Sequence, residues 1–324
     1  MKKFTRIVSR MNQFGGVRLI RGYSKLGVLS KVLRVVFPGI LFKPYNSING
    51  DVLRTIAPAI REQYAKSLAE IESRQKMNSD PTTKKSNIIW VCWLQGIEKA
   101  PKLVQVCYRS IQKHLQDRVV ILLTEENIGQ YVSLPDFIEN RYREGIIPTA
   151  HYTDLLRLEL LIKYGGTWID STVLCTGDDY PKEILDSELF VFQHLEKSEY
   201  AFRGLSNWFI TSCADNWVLK ELRDLLYQYW KDYDCVVHYY MFHLFFGMIM
   251  EKHPEVAAKM PKYGNRVPHY LSRRMGDKYD KAWMQELKAH SCFHKLSYRL
   301  DDKVLESNGT FYDEIINKNI YGIN

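Results

Sequence analysis

Short apolar runs alternate with helical stretches after residue 87, and this alternation constrains the fold more than any other feature of the sequence. The runs 87–94 and 118–123 are too short for typical helices and are almost continuously apolar, as expected for strands buried on both faces. Between them, 101–115 begins with a proline and has the spacing of a helix. The order strand, helix, strand predicts a right-handed crossover and a parallel sheet.

The rest of the chain extends this pattern, although less regularly after residue 180. A doubly wound α/β sheet is therefore predicted, in which ligands bind at the carboxyl ends of the strands. The further predicted elements are short helices at 126–131 and 135–144, a helix at 150–164, strands at 167–174, 189–193 and 207–212, helices at 216–230 and 238–251, and a last strand or loop at 293–299.

The net charge of +8 is concentrated at the N-terminus, because residues 1–50 contain ten Lys or Arg and no Asp or Glu. The remaining 35 basic and 37 acidic residues leave no basic footprint on the main body, so nucleic acid is not an expected partner. Between 17 and 37, apolar residues are interleaved with cations. Such a segment either lies in the headgroup region of an anionic membrane or forms a helical hairpin packed on the protein.

Composition shifts predict three parts. Residues 1–80 are interpreted as a basic amphipathic helical arm, including a helix at 51–76, followed by a polar linker at 77–87. Residues 87–300 form the main α/β domain, and 301–324 a C-terminal tail.

The six cysteines form no CxxC pair and several lie in apolar runs, which favours buried thiols in a reducing compartment over a zinc site. No secretory signal is evident, and no apolar run is long enough to cross a membrane. The expected location is the cytoplasm, with peripheral contact to the inner face of the cell membrane as a further possibility.

Residues 151–174, HYTDLLRLELLIKYGGTWIDSTVL, combine a helix, a glycine pair and a strand. Asp154 and Arg157 share one helix face, where they either hold ligand hydroxyls or form an ordinary ion pair. Gly166 lets the chain turn tightly into the strand and is a candidate residue for binding the nucleotide sugar. Asp170 at the strand end is a candidate ligand for a divalent cation, and Thr172 offers a hydroxyl on the same side of an extended chain.

The end of the first strand offers a second group of candidates. Trp90 and Trp93 are placed where a nucleotide would stack, and Gln95 lies in the turn that follows. Gly96 permits close approach of the backbone to a ligand. The alternative is that one or both tryptophans belong to the core.

A compound pattern, D-x-x-R at 154–157, YGG at 164–166 and WID at 168–170, together with NIIWVCW at 87–93, resembles a known group. These are the glycosyltransferases that carry a DxD-containing sugar-binding region (family 32-like), and the closest branch is capsular polysaccharide synthesis. The resemblance covers about 87–215. It implies a GT-A fold, a nucleotide-sugar donor, Mn²⁺ or Mg²⁺, and retention of anomeric configuration. It also implies that Asp154 and Arg157 contact the ribose or sugar of the donor, and that Asp170 lies at the metal–diphosphate site.

The sequence departs from a full DxD motif, because Thr172 stands at the second Asp position. Downstream candidates are Asn207, as a catalytic residue near donor or acceptor sugar, and His243, as a further metal ligand or a core histidine. Lys295 either neutralises the leaving diphosphate or lies on the surface beside His294.

The expected function is therefore transfer of a hexose from a nucleotide sugar, in the first place a UDP-sugar, to a polysaccharide or lipid-linked glycan. Two alternatives stay open: a GT-A-like module that binds sugar nucleotides with weakened catalysis, and a glycosyltransferase that modifies protein.

Overall fold

The computed structural model describes residues 9, 16–42, 45–78, 85–195 and 204–321. Internal contacts divide the chain into two compact units. The helical unit comprises Met1–Thr82, Leu134–Glu159 and Trp217–Ala257, and the sheet unit comprises Thr83–Ser133, Leu160–Asn216 and Ala258–Asn324. The boundaries of these units differ from the domains predicted from the sequence, 1–80, 87–300 and 301–324. That division into domains stays a prediction. Part of the predicted linker, 79–84, lies outside the described residues.

The described helices and strands lie close to the sequence predictions. The helices are α1 (Val17–Lys25), α2 (Leu29–Phe42), α3 (Tyr45–Asn78), α4 (Lys102–His114), α5 (Ile128–Tyr131), α6 (Asp136–Arg143), α7 (Thr149–Tyr164), α8 (Glu183–Asp186), α9 (Trp217–Asp232), α10 (Met241–Lys252), α11 (Pro254–Lys259), α12 (Tyr270–Arg273), α13 (Lys281–His290) and α14 (Asp302–Leu305). The strands are β1 (Ile88–Cys92), β2 (Val119–Leu123), β3 (Gly166–Ile169), β4 (Val173–Cys175), β5 (Leu189–Gln193), β6 (Leu205–Ser212) and β7 (Phe293–Lys295).

The helical unit is built around α3, which contacts α9 and α10. The apolar residues that predict this helix are buried along one face, and Tyr64 among them packs edge-on against Phe245 at 5.0 Å between ring centroids. Its hydroxyl donates a hydrogen bond to Asp232 at 2.8 Å. Helix α1 contacts the segment between α9 and α10 through Tyr23, whose hydroxyl donates a hydrogen bond to the Val237 carbonyl oxygen at 3.0 Å. One face of the N-terminal helices is therefore packed, as the hairpin alternative expects.

The sheet unit contains a five-stranded sheet in the order β2-β1-β3-β6-β5. Strand β1 is parallel to β2 and β3, whereas β6 is antiparallel to both β3 and β5. Only β6 therefore runs against the other strands of this sheet. The predicted α/β class with a mostly parallel sheet is confirmed, and the carboxyl ends of β1 and β3 lie side by side at one edge.

The structure divides the predicted strand region 167–174 into two strands, and the prediction of an extended chain from Asp170 to Thr172 is wrong. Strand β3 ends at Ile169, and the chain turns through 170–172, where the Val173 N–H donates to the Asp170 carbonyl oxygen at 2.9 Å. Strand β4 then pairs antiparallel with β7 in a separate two-stranded sheet. Asp170 and Thr172 are therefore brought together by a turn and do not share a side of an extended strand.

Helix α7 reaches β3 through a glycine pair with little room for any side chain. Gly165 and Gly166 have positive φ angles of 67° and 94°. A Cβ atom on Gly166 would lie 2.3 Å from the Ile88 carbonyl oxygen on β1, and one on Gly165 would lie 2.7 Å from the Ala214 backbone nitrogen. The predicted turn thus depends on glycine for both its conformation and the close approach of neighbouring backbones.

Within the described parts of the chain, no helix combines the length and apolar character needed to cross a membrane. Helix α3 has 34 residues but carries charged side chains along its length.

Candidate functional site

Three residues that sequence reasoning selected separately come together in the sheet unit. Asp170 directly follows β3, Thr172 directly precedes β4, and Lys295 ends β7. The ammonium nitrogen of Lys295 lies 3.1 Å from Asp170 Oδ2 and donates a hydrogen bond to Thr172 Oγ1 at 2.5 Å. The three side chains thus form one polar cluster, here called the Asp–Thr–Lys cluster, at the carboxyl edge of the parallel strands.

Strand pairing explains why a lysine distant in sequence reaches this turn. In the register of β4 and β7, Val173 is opposite Lys295. The Leu296 N–H extends the pairing by donating to the Thr172 carbonyl oxygen at 2.9 Å. Because the backbone of β7 is fixed against β4, the lysine side chain is held beside the turn.

Hydrogen bonds fix both the side chain and the backbone of Asp170. The buried indole of Trp168 donates through Nε1 to Asp170 Oδ1 at 2.9 Å, and the Asp170 N–H donates to the Trp208 carbonyl oxygen at 2.8 Å. The side chains of Asp170 and Lys295 are 25% and 21% exposed, so the cluster is accessible and not sealed in the core. The sequence identifies Trp168 only as part of the WID motif. Its hydrogen bond to Asp170 is visible only in the structure.

An aromatic pair lies at the same edge of the sheet. Trp93 follows β1 and makes an edge-to-face contact with Tyr298 at 5.4 Å between centroids. Because Trp90 on β1 is paired with Trp168 on β3, Trp93 and Asp170 leave neighbouring parallel strands at the same end. Tyr298 is 38% exposed and lies three residues after Lys295. Sequence reasoning missed Tyr298, because only its proximity to Lys295 in the chain set it apart from the other 20 tyrosines.

A neutral polar group lies beside the Asp–Thr–Lys cluster. Trp208 donates from Nε1 to Asn265 Oδ1 at 2.9 Å, and the His269 Nδ1–H donates to the Asn265 carbonyl oxygen at 2.8 Å. Burial, assisted by the charge of Lys295, lowers the pKa of His269 to about 4. The imidazole is therefore neutral at pH 7, with Nε2 as its acceptor atom. Asn207, the predicted catalytic residue, is half-buried next to Trp208 on β6.

Two other predicted donor-binding residues lie in packed parts of the sheet unit. Trp90 is fully buried, donates from its indole to the Gly165 carbonyl oxygen at 2.9 Å, and packs against Tyr131 and Tyr164. Gly166 is buried at the start of β3, at the opposite end of the strand from Asp170. The structure therefore gives these two residues packing roles, which corrects their placement at the binding edge. Gln95 is exposed in the turn after β1.

The remaining predicted residues lie in the helical unit. Arg157 and Asp154 on α7 form a buried ion pair at 3.3 Å, and the Arg157 Nε–H donates to the Thr153 carbonyl oxygen at 3.2 Å. The ion-pair alternative therefore describes their contact, while a contact with the donor stays a prediction. His243 on α10 is buried against the rings of Tyr240 and Phe242.

A divalent metal fits the Asp–Thr–Lys cluster poorly. Mn²⁺ and Mg²⁺ prefer several oxygen ligands, and the cluster contains one carboxylate whose two oxygens already contact Trp168 and Lys295. The Thr172 hydroxyl accepts its hydrogen bond from the same lysine. Among the residues that the structure describes, no group of three or more His, Cys, Asp or Glu side chains is arranged to hold a metal ion.

Comparisons with known proteins find one family and several proteins named as glycosyltransferases that are similar to this chain. The family model described as "Capsular polysaccharide synthesis protein" matches residues 41–315. A 115-residue segment is 27% identical to glycosyltransferase afumC of Aspergillus fumigatus, covering 33% of this chain and 29% of that protein. A 105-residue segment is 34% identical to O-glycosyltransferase braB of Annulohypoxylon truncatum, covering 28% of this chain and 24% of that protein. The chain is thus related to glycosyltransferases, but the match spans less than a third of these relatives.

A solved structure titled "PaToxG Glycosyltransferase" is also similar to this chain. The sequences are 16% identical, the match covers 63% of this chain and 81% of that one, and the TM-score is 0.40.

Proposed function

This chain belongs to the capsular polysaccharide synthesis protein family, and from that premise we propose that it is a glycosyltransferase of GT-A type. It transfers a hexose from a UDP-sugar to a polysaccharide or lipid-linked glycan acceptor, with retention of anomeric configuration. The observation that carries this proposal is the Asp–Thr–Lys cluster, which presents a cation at the carboxyl edge of parallel strands, where ligands of open α/β sheets bind.

The chemistry of transfer sets the demands on such a site. The bond between the anomeric carbon and the diphosphate oxygen breaks, and its electron pair stays on the departing diphosphate. The acceptor hydroxyl oxygen forms the new bond to the same carbon and loses its proton. A fixed positive charge near the leaving oxygen stabilises the developing negative charge. Lys295 supports this role by its position, while Asp170 and Trp168 hold the ammonium group in place.

The aromatic pair at the end of β1 supports a nucleoside subsite. A ring such as Trp93 or the exposed Tyr298 stacks a base with about 1–3 kcal/mol. The exposed turn at Gln95 follows immediately and offers an amide for the base or ribose. This arrangement supports neighbouring nucleoside and diphosphate subsites, because β1 and β3 are adjacent parallel strands.

Other parts of the proposal depend on the family resemblance. Asp154 and Arg157 contact the ribose or sugar of the donor, and Asn207 approaches the reacting sugar. The Mn²⁺ or Mg²⁺ that the resemblance implies, with Asp170, Thr172 and His243 as its ligands, is not part of this proposal, because the Asp–Thr–Lys cluster fits a divalent metal poorly. No step of the proposed transfer requires it.

The N-terminal helices suit a peripheral contact with an anionic membrane on its cytoplasmic side, where a lipid-linked acceptor would be met. Val17 and Phe37 are 67% and 63% exposed. The same two helices carry the exposed cations Arg18, Arg21 and Lys31. Exposed apolar side chains and cations together bind acidic headgroups through both burial and charge. Co-sedimentation with phosphatidylglycerol vesicles tests the contact, and equal recovery with neutral vesicles would contradict it.

A donor screen followed by a transfer assay tests the enzymatic proposal. We expect one UDP-sugar in a panel of UDP-, GDP- and CMP-sugars to raise the melting temperature, and labelled hexose from it to appear in a glycan or lipid extract. Asp170→Asn should lower transfer roughly 100-fold while far-UV circular dichroism is unchanged. Binding without transfer would favour the weakened binding module, and label in protein would favour a protein-modifying enzyme. Normal transfer by Asp170→Asn would refute the role of the cluster.

A further inference from the structure

We infer that the ammonium group of Lys295 takes the place of the divalent cation, so that this site binds a nucleoside diphosphate without metal. The inference rests on the proposed function, because it concerns the same diphosphate subsite. It follows from a disagreement between the residues present and the metal that the resemblance implies.

The ligand set is the first observation. A cation shared by Asp170 and Thr172 would have to contact a carboxylate oxygen and a hydroxyl oxygen, and Lys295 already makes both contacts. The other carboxylate oxygen accepts the indole N–H of Trp168. A divalent ion on these atoms would lie within a few ångströms of a fixed positive charge, and like charges at that distance repel strongly. The lysine and the metal are therefore alternatives for one position.

The second observation is the donor capacity of the lysine. An ammonium group has three N–H donors, and the contacts with Asp170 and Thr172 use two of them. The third is available to an oxygen of the diphosphate, and the 21% exposure of the side chain leaves a route for that contact. Asp170 is then a positioning residue, which holds the ammonium group.

The third observation is that the surroundings keep this charge in place. The backbone of Lys295 is fixed by the pairing of β7 with β4, so its position does not depend on a bound ion. The neighbouring His269 is neutral at pH 7 and does not compete as a cation. Among these groups, Lys295 is therefore the cation that faces a bound diphosphate.

During transfer the lysine acts without any change of its own covalent state. The bond from the anomeric carbon to the β-phosphate oxygen breaks, and both electrons remain on that oxygen. The ammonium N–H donates a hydrogen bond to the diphosphate as its negative charge grows. The acceptor hydroxyl transfers its proton to solvent or to a neighbouring hydrogen-bond acceptor. The step requires no metal ion.

Calorimetric titration of the full chain with UDP tests the inference, once in EDTA and once in Mn²⁺. We expect the wild-type dissociation constants in the two buffers to agree within about threefold. Lys295→Met should weaken binding in EDTA by about tenfold or more, because it removes a charged hydrogen-bond donor. Lys295→Arg, which keeps the positive charge, should retain metal-independent binding. Lys281→Met, which removes an exposed lysine at the start of α13, is the matched control and should bind as wild type.

A second readout follows the metal itself. Electron paramagnetic resonance of Mn²⁺ should detect no binding to the wild-type chain with UDP at protein concentrations of about 0.1 mM, where a ternary metal site would be occupied. UDP binding that occurs only with Mn²⁺ would overturn the inference and leave the glycosyltransferase proposal intact. Absence of UDP and UDP-sugar binding in both buffers would instead overturn the proposed function. Circular dichroism of each variant establishes that a loss of binding is not a loss of fold.

Discussion

Replacing Gly166 by alanine tests whether the close approach of β3 to β1 is a requirement of the fold. The new Cβ would lie 2.3 Å from the Ile88 carbonyl oxygen and 3.1 Å from its carbonyl carbon, both backbone atoms of a paired strand. The φ angle of 94° adds a conformational cost of about 1–2 kcal/mol for an L-residue. Relieving the overlap requires the strands to shift, which costs about 1–3 kcal/mol more. The expected loss in free energy of unfolding is therefore about 2–5 kcal/mol.

Gly309→Ala is the matched control for this measurement. Gly309 also lies in the sheet unit and has a φ angle of 67°, but a Cβ there would meet no atom within 4 Å. It should therefore cost only the conformational part, about 1–2 kcal/mol. Urea unfolding followed by far-UV circular dichroism measures both variants, and the difference between them isolates the backbone overlap. If Gly166→Ala is no less stable than Gly309→Ala, the reasoning about close approach is refuted.

Three further predictions concern side chains. Trp90→Phe removes the donor to the buried Gly165 carbonyl oxygen and should cost about 1–3 kcal/mol in urea unfolding. Trp93→Phe should cost less, because the Trp93 indole N–H has no hydrogen-bond partner among the described residues; equal losses would contradict this. Burial lowers the pKa of His294 to about 3, and an unfolded histidine titrates near 6.5. The unfolded chain thus binds this proton first, so stability falls as the pH drops below about 6.5. His294→Gln should reduce the loss between pH 7 and pH 5 by about 2 kcal/mol, and an unchanged pH dependence would disprove the assignment. Arg21→Glu should weaken binding to phosphatidylglycerol vesicles by about 2 kcal/mol, and an equal effect of Lys66→Glu on α3 would show that net charge alone is responsible.

Local patterns in the sequence were sufficient to predict most of the helices and strands. The boundaries of β1, α4 and α7 lie within two residues of those predicted from apolar spacing, the helix-initial proline and the glycine pair. Each of these signals acts between residues close in the chain, so it can be recognised without knowledge of the fold. The same holds for the D-x-x-R, YGG and WID pattern, which indicates the family without knowledge of the fold.

Only part of the candidate site could be predicted from the sequence. Asp170, Thr172 and Lys295 were selected from the sequence, but their mutual contact depends on the pairing of β4 with β7, which joins positions 122 residues apart. The apolar residues on both sides of 170–172 conceal the turn, because a continuous strand and a broken one have the same local pattern. Likewise, nothing local distinguishes the buried Trp90 from Trp93 at the strand end, three residues later.

The sequence by itself therefore determined the succession of helices and strands, the glycine turn and the family, since these depend on short-range spacing and on residue types. The tertiary structure decided which cation faces Asp170, which tryptophan belongs to the core, and that Tyr298 joins the strand edge. Those facts arise from hydrogen bonds and packing between segments far apart in the chain, where side chains meet only after the strands have paired.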